Sequence, residues 1–320
     1  MRLSTVGGII CHARFYAKRM RKSTRLDLRR KSANHSGVAK NQKFIGVDLG
    51  GTNVRAGLVQ NGKIIKLKAR PISGHAKQEI VLEEVCETIA AVFQSGVRGI
   101  GIDVPSLVDV EKGIVYSVAN IPSWRKVPLK KILEKRFGVP VFVNNDAKCF
   151  ALGELHYGEG RGYKKLIGLI IGTGLGAGII IGGKIFYGSN GSAGEIGHAP
   201  YLENEFEHYC SGRFFQREFG LDAFTAEQRA NAGDRAAQKM FDAFGDHFAN
   251  AIMTLLYAYD PEIIVLGGGV SNAFPLFEKR MRERLKTFHF QSSLKRLKIV
   301  RSKKPNIAVL AAAALCLDNE

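Results

Sequence analysis

Two carboxylates stand at the ends of runs built for burial. In FIGVDLGGTNVRAGLV, Phe44 to Val59, an apolar run stops at Asp48 and passes through Gly50, Gly51, Thr52 and Asn53 into a second apolar run. In VPVFVNND another run stops at Asn144, Asn145 and Asp146. A carboxylate at a strand end can hold a cation or take a proton, and bare glycines let backbone N–H groups close on an anion. Asp48 suits Mg2+ held through water, because that ion keeps several waters and takes few carboxylates. Asp146 is a candidate general base, which must reach its proton within hydrogen-bonding distance. On spacing alone, however, it reads as the N-cap of the helix AKCFALGE.

The glycine pattern returns in LIIGTGLGAGIIIGGKIF. With Gly51-Thr52 laid over Gly172-Thr173, Ala56 falls on Ala177, Gly57 on Gly178, Gly62 on Gly183, Lys63 on Lys184 and Ile64 on Ile185, without a gap. Both copies read strand, Gly-Thr turn, strand, Gly-Lys turn. Gly172, Thr173 and Gly174 therefore join the first turn as a second candidate phosphate site. No GxxxxGK[ST] is present, and a strand rather than a helix follows Gly172–Gly178, so neither a Walker loop nor a dinucleotide fingerprint fits. Gly267, Gly268 and Gly269 end a further apolar run, either as a helix-entry turn or as a nucleotide contact.

These residues need elements to hold them. FIGVDLG, AGLVQNG and KIIKLKAR read as a meander turning at Asn61-Gly62. Ile80, Val81, Val85, Ile89 and Val92 share one helical face over 77–95. GIGIDV, VPVFVNND and EIIVLGGGV read as buried strands, and 127–138, 234–258 and 275–287 as helices. IAVLAAAALCL, 307–317, is too short to span a bilayer and reads as a buried helix. Alternating strands and helices predict an α/β fold.

The composition is that of a globular protein: 320 residues, 45% hydrophobic and 24% charged. The net charge of +18 is uneven. Residues 1–40 carry eleven Lys and Arg against Asp27 alone, leaving +8 for the rest. This head reads as a disordered basic extension: a solvated tail, an upstream start with Met20 as the alternative, a targeting segment, or a nucleic-acid or membrane contact. Five scattered cysteines without a CxxC fit a reducing compartment and no thiolate metal cluster.

DLGGTNVR followed by GTGLGAG resembles the two phosphate hairpins of the actin–hexokinase–Hsp70 superfamily. Within it the chain resembles the ROK family (repressors, open reading frames and sugar kinases), glucokinase-like members above all. The likeness runs in order through GIDVPSLVD, NIPSW, VFVNNDAKCFALGE, GTGLGAG, GSAGEIGH, YCSG and IIVLGGGVS. It implies a two-lobed, actin-like ATPase fold of the ribonuclease H type around a cleft. The first lobe is 41–145 with helix 305–320, and the second is 146–304. It implies ATP with Mg2+ at Asp48, Gly50, Gly51, Thr52, Asn53, Gly172, Thr173 and Gly174, and adenosine near Gly267, Gly268 and Gly269. Asp146 becomes the catalytic base. Asn120, Asn145, Glu195, His198 and Glu207 become contacts to a hexose. The implied reaction is ATP-dependent phosphorylation of a hexose, glucose at its 6-OH first. N-acetylglucosamine, N-acetylmannosamine, fructose and allose stay open, because one substituent is read by pocket shape.

The chain departs from the family at one place. ROK kinases commonly follow the His of ExGH with a C-x-C-G-x-x-G-C-x-E loop that binds structural zinc, whereas this chain has GHAPYLENEFEHYCSG. Zinc takes three or four N/S ligands, and they are missing, so a shortened, zinc-free loop is expected. ROK repressors place a winged helix-turn-helix before the core, and 40 residues are too few for it, which leaves nucleic-acid binding outside the expectation. The remaining rivals are a sugar sensor without catalysis and an actin- or Hsp70-type ATPase. A cytoplasmic location without membrane attachment is expected. ROK kinases are often dimers, on which the sequence itself is silent.

Overall fold

The computed structural model describes residues 41–319; the reading of 1–40 as a basic extension lies outside them. The chain opens with β1 (Lys43–Leu49), β2 (Asn53–Gln60) and β3 (Lys63–Pro71), then α1 (Gln78–Ala90) and β4 (Val97–Val104). A small meander follows, β5 (Val108–Asp109), β6 (Ile114–Val118) and β7 (Ile121–Val127), then α2 (Leu129–Phe137), β8 (Val141–Asn145) and α3 (Asp146–Tyr157). The second half begins with β9 (Leu166–Ile171), β10 (Leu175–Ile181) and β11 (Lys184–Ile185), and continues through the short pair β12 (Pro200–Tyr201) and β13 (Asn204–Glu205). Four helices come next, α4 (Phe206–Cys210), α5 (Arg213–Phe219), α6 (Ala223–Asn231) and α7 (Arg235–Tyr259). The chain closes with β14 (Ile263–Gly267), α8 (Phe274–Leu285), α9 (Gln291–Arg296), β15 (Lys298–Arg301) and α10 (Ile307–Asp318). Among the described residues no helix is long and apolar enough to cross a membrane.

The repeat seen in the sequence is a repeat of topology. One sheet runs β3-β2-β1-β4-β8 and the other β11-β10-β9-β14-β15. In each, the hairpin strands pair antiparallel and the later strands add in parallel. The match extends to single residues: Gly57 lies opposite Gly46, and its counterpart Gly178 lies opposite Gly168.

These glycine pairs are where helices seat. A Cβ on Gly46 would lie 1.8 Å from the Val309 carbonyl oxygen of α10, and one on Gly101 1.8 Å from that of Ala312. A Cβ on Gly178 would lie 2.2 Å from the Ala147 carbonyl oxygen of α3, and one on Gly168 2.8 Å from Ala151. Removing side chains from the sheet lets an alanine-rich helix pack backbone to backbone, and the buried area is kept by β-branched neighbours. α3 and α10 then meet each other, with Gly153 against Ala311. The helix at 307–318 thus returns to the first sheet and braces it against the start of the second half.

Each sheet also packs its other face. Ile45, Val47, Ile100 and Ile102 bury against Val81, Val85 and Ile89 of α1. Ile167, Leu169 and Ile264 bury against a phenylalanine cluster of 214, 215, 241, 244, 248 and 277.

Candidate active site

Three strands of the first sheet end in acids or amides at one level. The parallel registers pair Asp48 with Asp103 and Asp103 with Asn144. Strand ends in a parallel sheet are where open α/β folds collect ligands. Asp48, Asp103 and Asp146 together wall a cavity of about 610 Å³ with Arg55, Lys304 and Asn306.

Asp48 does not stand alone. Arg55, directly opposite on β2, donates to Asp48 Oδ2 through Nε at 2.8 Å and also through Nη2. Asp103 is 2% exposed and lies beside Asp48 on the neighbouring strand. Burial, with the charges of Asp48 and Asp146 beside it, pushes the Asp103 carboxyl well above the usual range. Neither Arg55 nor Asp103 was singled out from the sequence. Asp103 sat inside a quoted motif, and a carboxylate in the apolar run GIGIDV was the signal available.

The helix cap that spacing gave to Asp146 belongs to Asn145. Asn145 Oδ1 accepts from the amides of Ala147 and Lys148 at 3.0 and 3.3 Å, so the amide side chain starts α3. Its Nδ2 donates to Asp146 Oδ1 at 2.9 Å, and that oxygen also accepts from Ala147 N at 2.8 Å. Asp146 Oδ2 has no protein partner among the described residues. Burial raises the Asp146 pKa to about 6, with Asp48 and Glu195 adding to it and the Ala147 amide opposing.

Glu195 meets the Nζ of Lys148 at 3.5 Å across the start of α3. His198 is two-thirds exposed and pairs through Nδ1 with Glu205 at 3.1 Å, which raises its pKa. Glu207 accepts from Leu175 N at 3.1 Å and lies against Gly174. Asn120 packs onto Gly51: a Cβ there would sit 2.1 Å from the Asn120 amide nitrogen. One of the two bare glycines in the first turn is thus bare for a neighbouring amide.

A second cavity, about 940 Å³, opens beside the other hairpin. Gly172 and Thr173 form one wall, and Gly212, Arg213, Gln216, Phe224 and Gly269 others. Gly212 N donates to the Gly172 carbonyl at 2.8 Å, fixing α5 to the turn. The glycine triplet divides. Gly267 faces the Phe150 ring, Gly268 turns with φ +82° against Ile171, and Gly269 opens on the larger cavity. Asn272 lines both cavities and joins them. The α5 and α6 residues of this wall carried no sequence signal, because helices 213–219 and 223–231 have polar faces like any surface helix.

The loop expected to have lost its zinc is the β12–β13 hairpin. Tyr201 stacks on Phe206 at 4.4 Å, and Phe206 N bonds the Ala199 carbonyl. Among the described residues no group of three His, Cys, Asp or Glu is placed to hold a metal ion.

Comparison with known proteins gives the family model ROK over residues 44–319. The chain is similar to a glucokinase of Thermotoga maritima, 31% identical over 304 residues, covering 85% of this chain and 96% of that one. It is similar to an N-acetyl-D-glucosamine kinase of Vibrio cholerae, 32% identical over 310 residues, covering 85% and 98%. Among solved structures it matches a ROK glucokinase of Streptomyces griseus in complex with glucose and AMPPNP. There the TM-score is 0.74 and the identity 28%, over 85% of this chain and 98% of that one.

Proposed function

The chain belongs to the ROK family, and from that premise we propose that it is an ATP-dependent hexose kinase that uses Asp146 as general base. Its relatives are named glucokinase and N-acetyl-D-glucosamine kinase, which supports glucose first as acceptor and N-acetylglucosamine second; the 6-OH is the hydroxyl expected to react. The observation that carries the reading is Asp146. One of its oxygens is held by Asn145 and a helix amide, the other is left open, and the pKa of about 6 suits a base at neutral pH.

The two cavities divide the substrates. The larger one has the size of a nucleoside pocket and meets a glycine turn whose backbone can approach phosphates. The smaller one is walled by Asp48, Asp103 and Asp146, and of these Asp48 suits a hard cation held through water. Mg2+ there would be held by Asp48 and would neutralise charge on the transferred phosphoryl group. Asn145 orients Asp146, and Asp146 takes the hydroxyl proton as the sugar oxygen attacks the γ-phosphorus of ATP, whose bond to the bridging oxygen breaks to release ADP. Glu195, Glu207, Asn120 and His198 hold the other hydroxyls. Lobes 41–145 with 305–320, and 146–304, close over the sugar and exclude water, which otherwise competes as acceptor.

The test is ADP release from Mg-ATP with a panel of hexoses and N-acetylhexosamines. Turnover with one sugar, lost in Asp146→Ala, is the expected result. Sugar binding without turnover would overturn the kinase reading in favour of a sensor.

A further inference from the structure

Lys148 is a lysine where a lysine is costly. It lies in the first turn of α3, two residues after Asp146, and is 1% exposed. The partner that the structure gives its Nζ is Glu195 Oε1 at 3.5 Å, and Glu195 is one-third exposed. Its stem cannot shift easily, because α3 is pressed onto β10: a Cβ on Gly178 would lie 2.9 Å from the Lys148 Cα. A buried ammonium costs several kcal/mol unless paired, and such a pair is commonly replaced by an apolar side chain without loss of stability. Stability therefore does not explain why this position holds a cation.

The surroundings do. Asp146 is faced by Asp48 from β1, Asp103 from β4 and Glu195 from the loop after β11, while Arg55 of β2 is engaged with Asp48. Lys148 lies in the same helical turn as Asp146, and its Nζ meets Glu195. Glu195 has no regular element of its own: it precedes a single 3-10 turn at Ile196–His198.

Resting on the hexose-kinase reading, we propose that Lys148 is a positioning residue, whose buried ammonium seats the Glu195 carboxylate against the hexose and ties it to the helix that carries the base. It touches neither reactant. It acts through Glu195 on hexose binding.

The test compares the full chain with Lys148→Met and Lys148→Arg. Hexose binding is measured by calorimetry without ATP, and kcat and KM are measured separately. The Met variant should fold, with hexose Kd and KM raised about tenfold, as when a supporting contact is lost. The Arg variant should recover much of both. A folded Met variant with unchanged Kd and KM would overturn the proposal, as would a loss of thermal stability with unchanged kinetics. If the wild-type chain binds hexoses without phosphorylating them, the kinase reading fails and Lys148 is judged on Kd alone. If it neither binds nor phosphorylates any hexose, both readings fall.

Discussion

Asn145 and Asp146 divide two jobs that one aspartate might have combined. Asn145 caps α3 with its oxygen and holds Asp146 Oδ1 with its nitrogen at 2.9 Å, so Asp146 keeps Oδ2 for chemistry. Asp146→Asn should therefore bind hexose with near-normal affinity and lose turnover by a factor of about a hundred or more. Asn145→Ala should lose about 1 kcal/mol from the missing cap and lower turnover as well. Calorimetry alongside the coupled assay separates the two, and a Asp146→Asn variant with ordinary kcat would remove Asp146 as the base.

The rate should follow the ionised fraction of that carboxyl. With its pKa raised to about 6, kcat/KM for the hexose should climb through that region and level off above it. A profile already flat well below this range would place the proton acceptor elsewhere.

The same shift has a stability consequence of known sign. The folded pKa of Asp146 lies above its unfolded value of 3.8, so between 3.8 and about 6 the native state binds the extra proton. Its contribution is present below 3.8 and is lost as pH rises to about 6. Asp146→Asn should then be more stable than wild type at neutral pH, by about 1–2 kcal/mol after discounting for solvent at the cleft mouth. The gain should fade as the pH drops towards 4, and thermal melts at several pH values measure it.

Glycines in this chain serve two purposes, and alanine scanning distinguishes them. Gly46→Ala and Gly178→Ala drive a methyl into helix backbone, at 1.8 and 2.2 Å, and should cost about 3 kcal/mol or more. Gly172→Ala meets nothing within 4 Å and should leave the melting temperature unchanged. If its bare backbone serves phosphate, the KM for ATP should rise several-fold while hexose binding holds.

Metal removal should separate a reactant ion from a structural one. Chelation should abolish turnover, restored by Mg2+, because Asp48 sits among acids in the transfer cavity. It should not move the melting temperature, because Tyr201 on Phe206 and the His198–Glu205 pair hold the hairpin. Stoichiometric zinc in the purified protein would contradict this.

Much of the frame was legible in the chain. Periodicity and glycine punctuation marked β1, β2, β9, β10 and β14, and the gapless repeat announced two related hairpins, which the strand order sets in two sheets of one topology. These are local signals, carried by neighbours within one hairpin. The motif residues Asp48 and Asp146 were visible for the same reason: each ends an apolar run in a polar residue.

What the tertiary structure decided is which distant residues those ends meet. Arg55 looked like one more strand residue until the β1–β2 register set it against Asp48. Asp103 became a buried partner of Asp48 only through the parallel pairing of β1 with β4, 55 positions apart in number. Gly51, read from the sequence as part of a phosphate turn, also makes room for Asn120. Lys148 and Glu195, 47 residues apart, meet because α3 packs on β10. A linear pattern encodes burial and turning, which depend on near neighbours. Charge pairing across a cleft depends on packing that only the folded chain supplies.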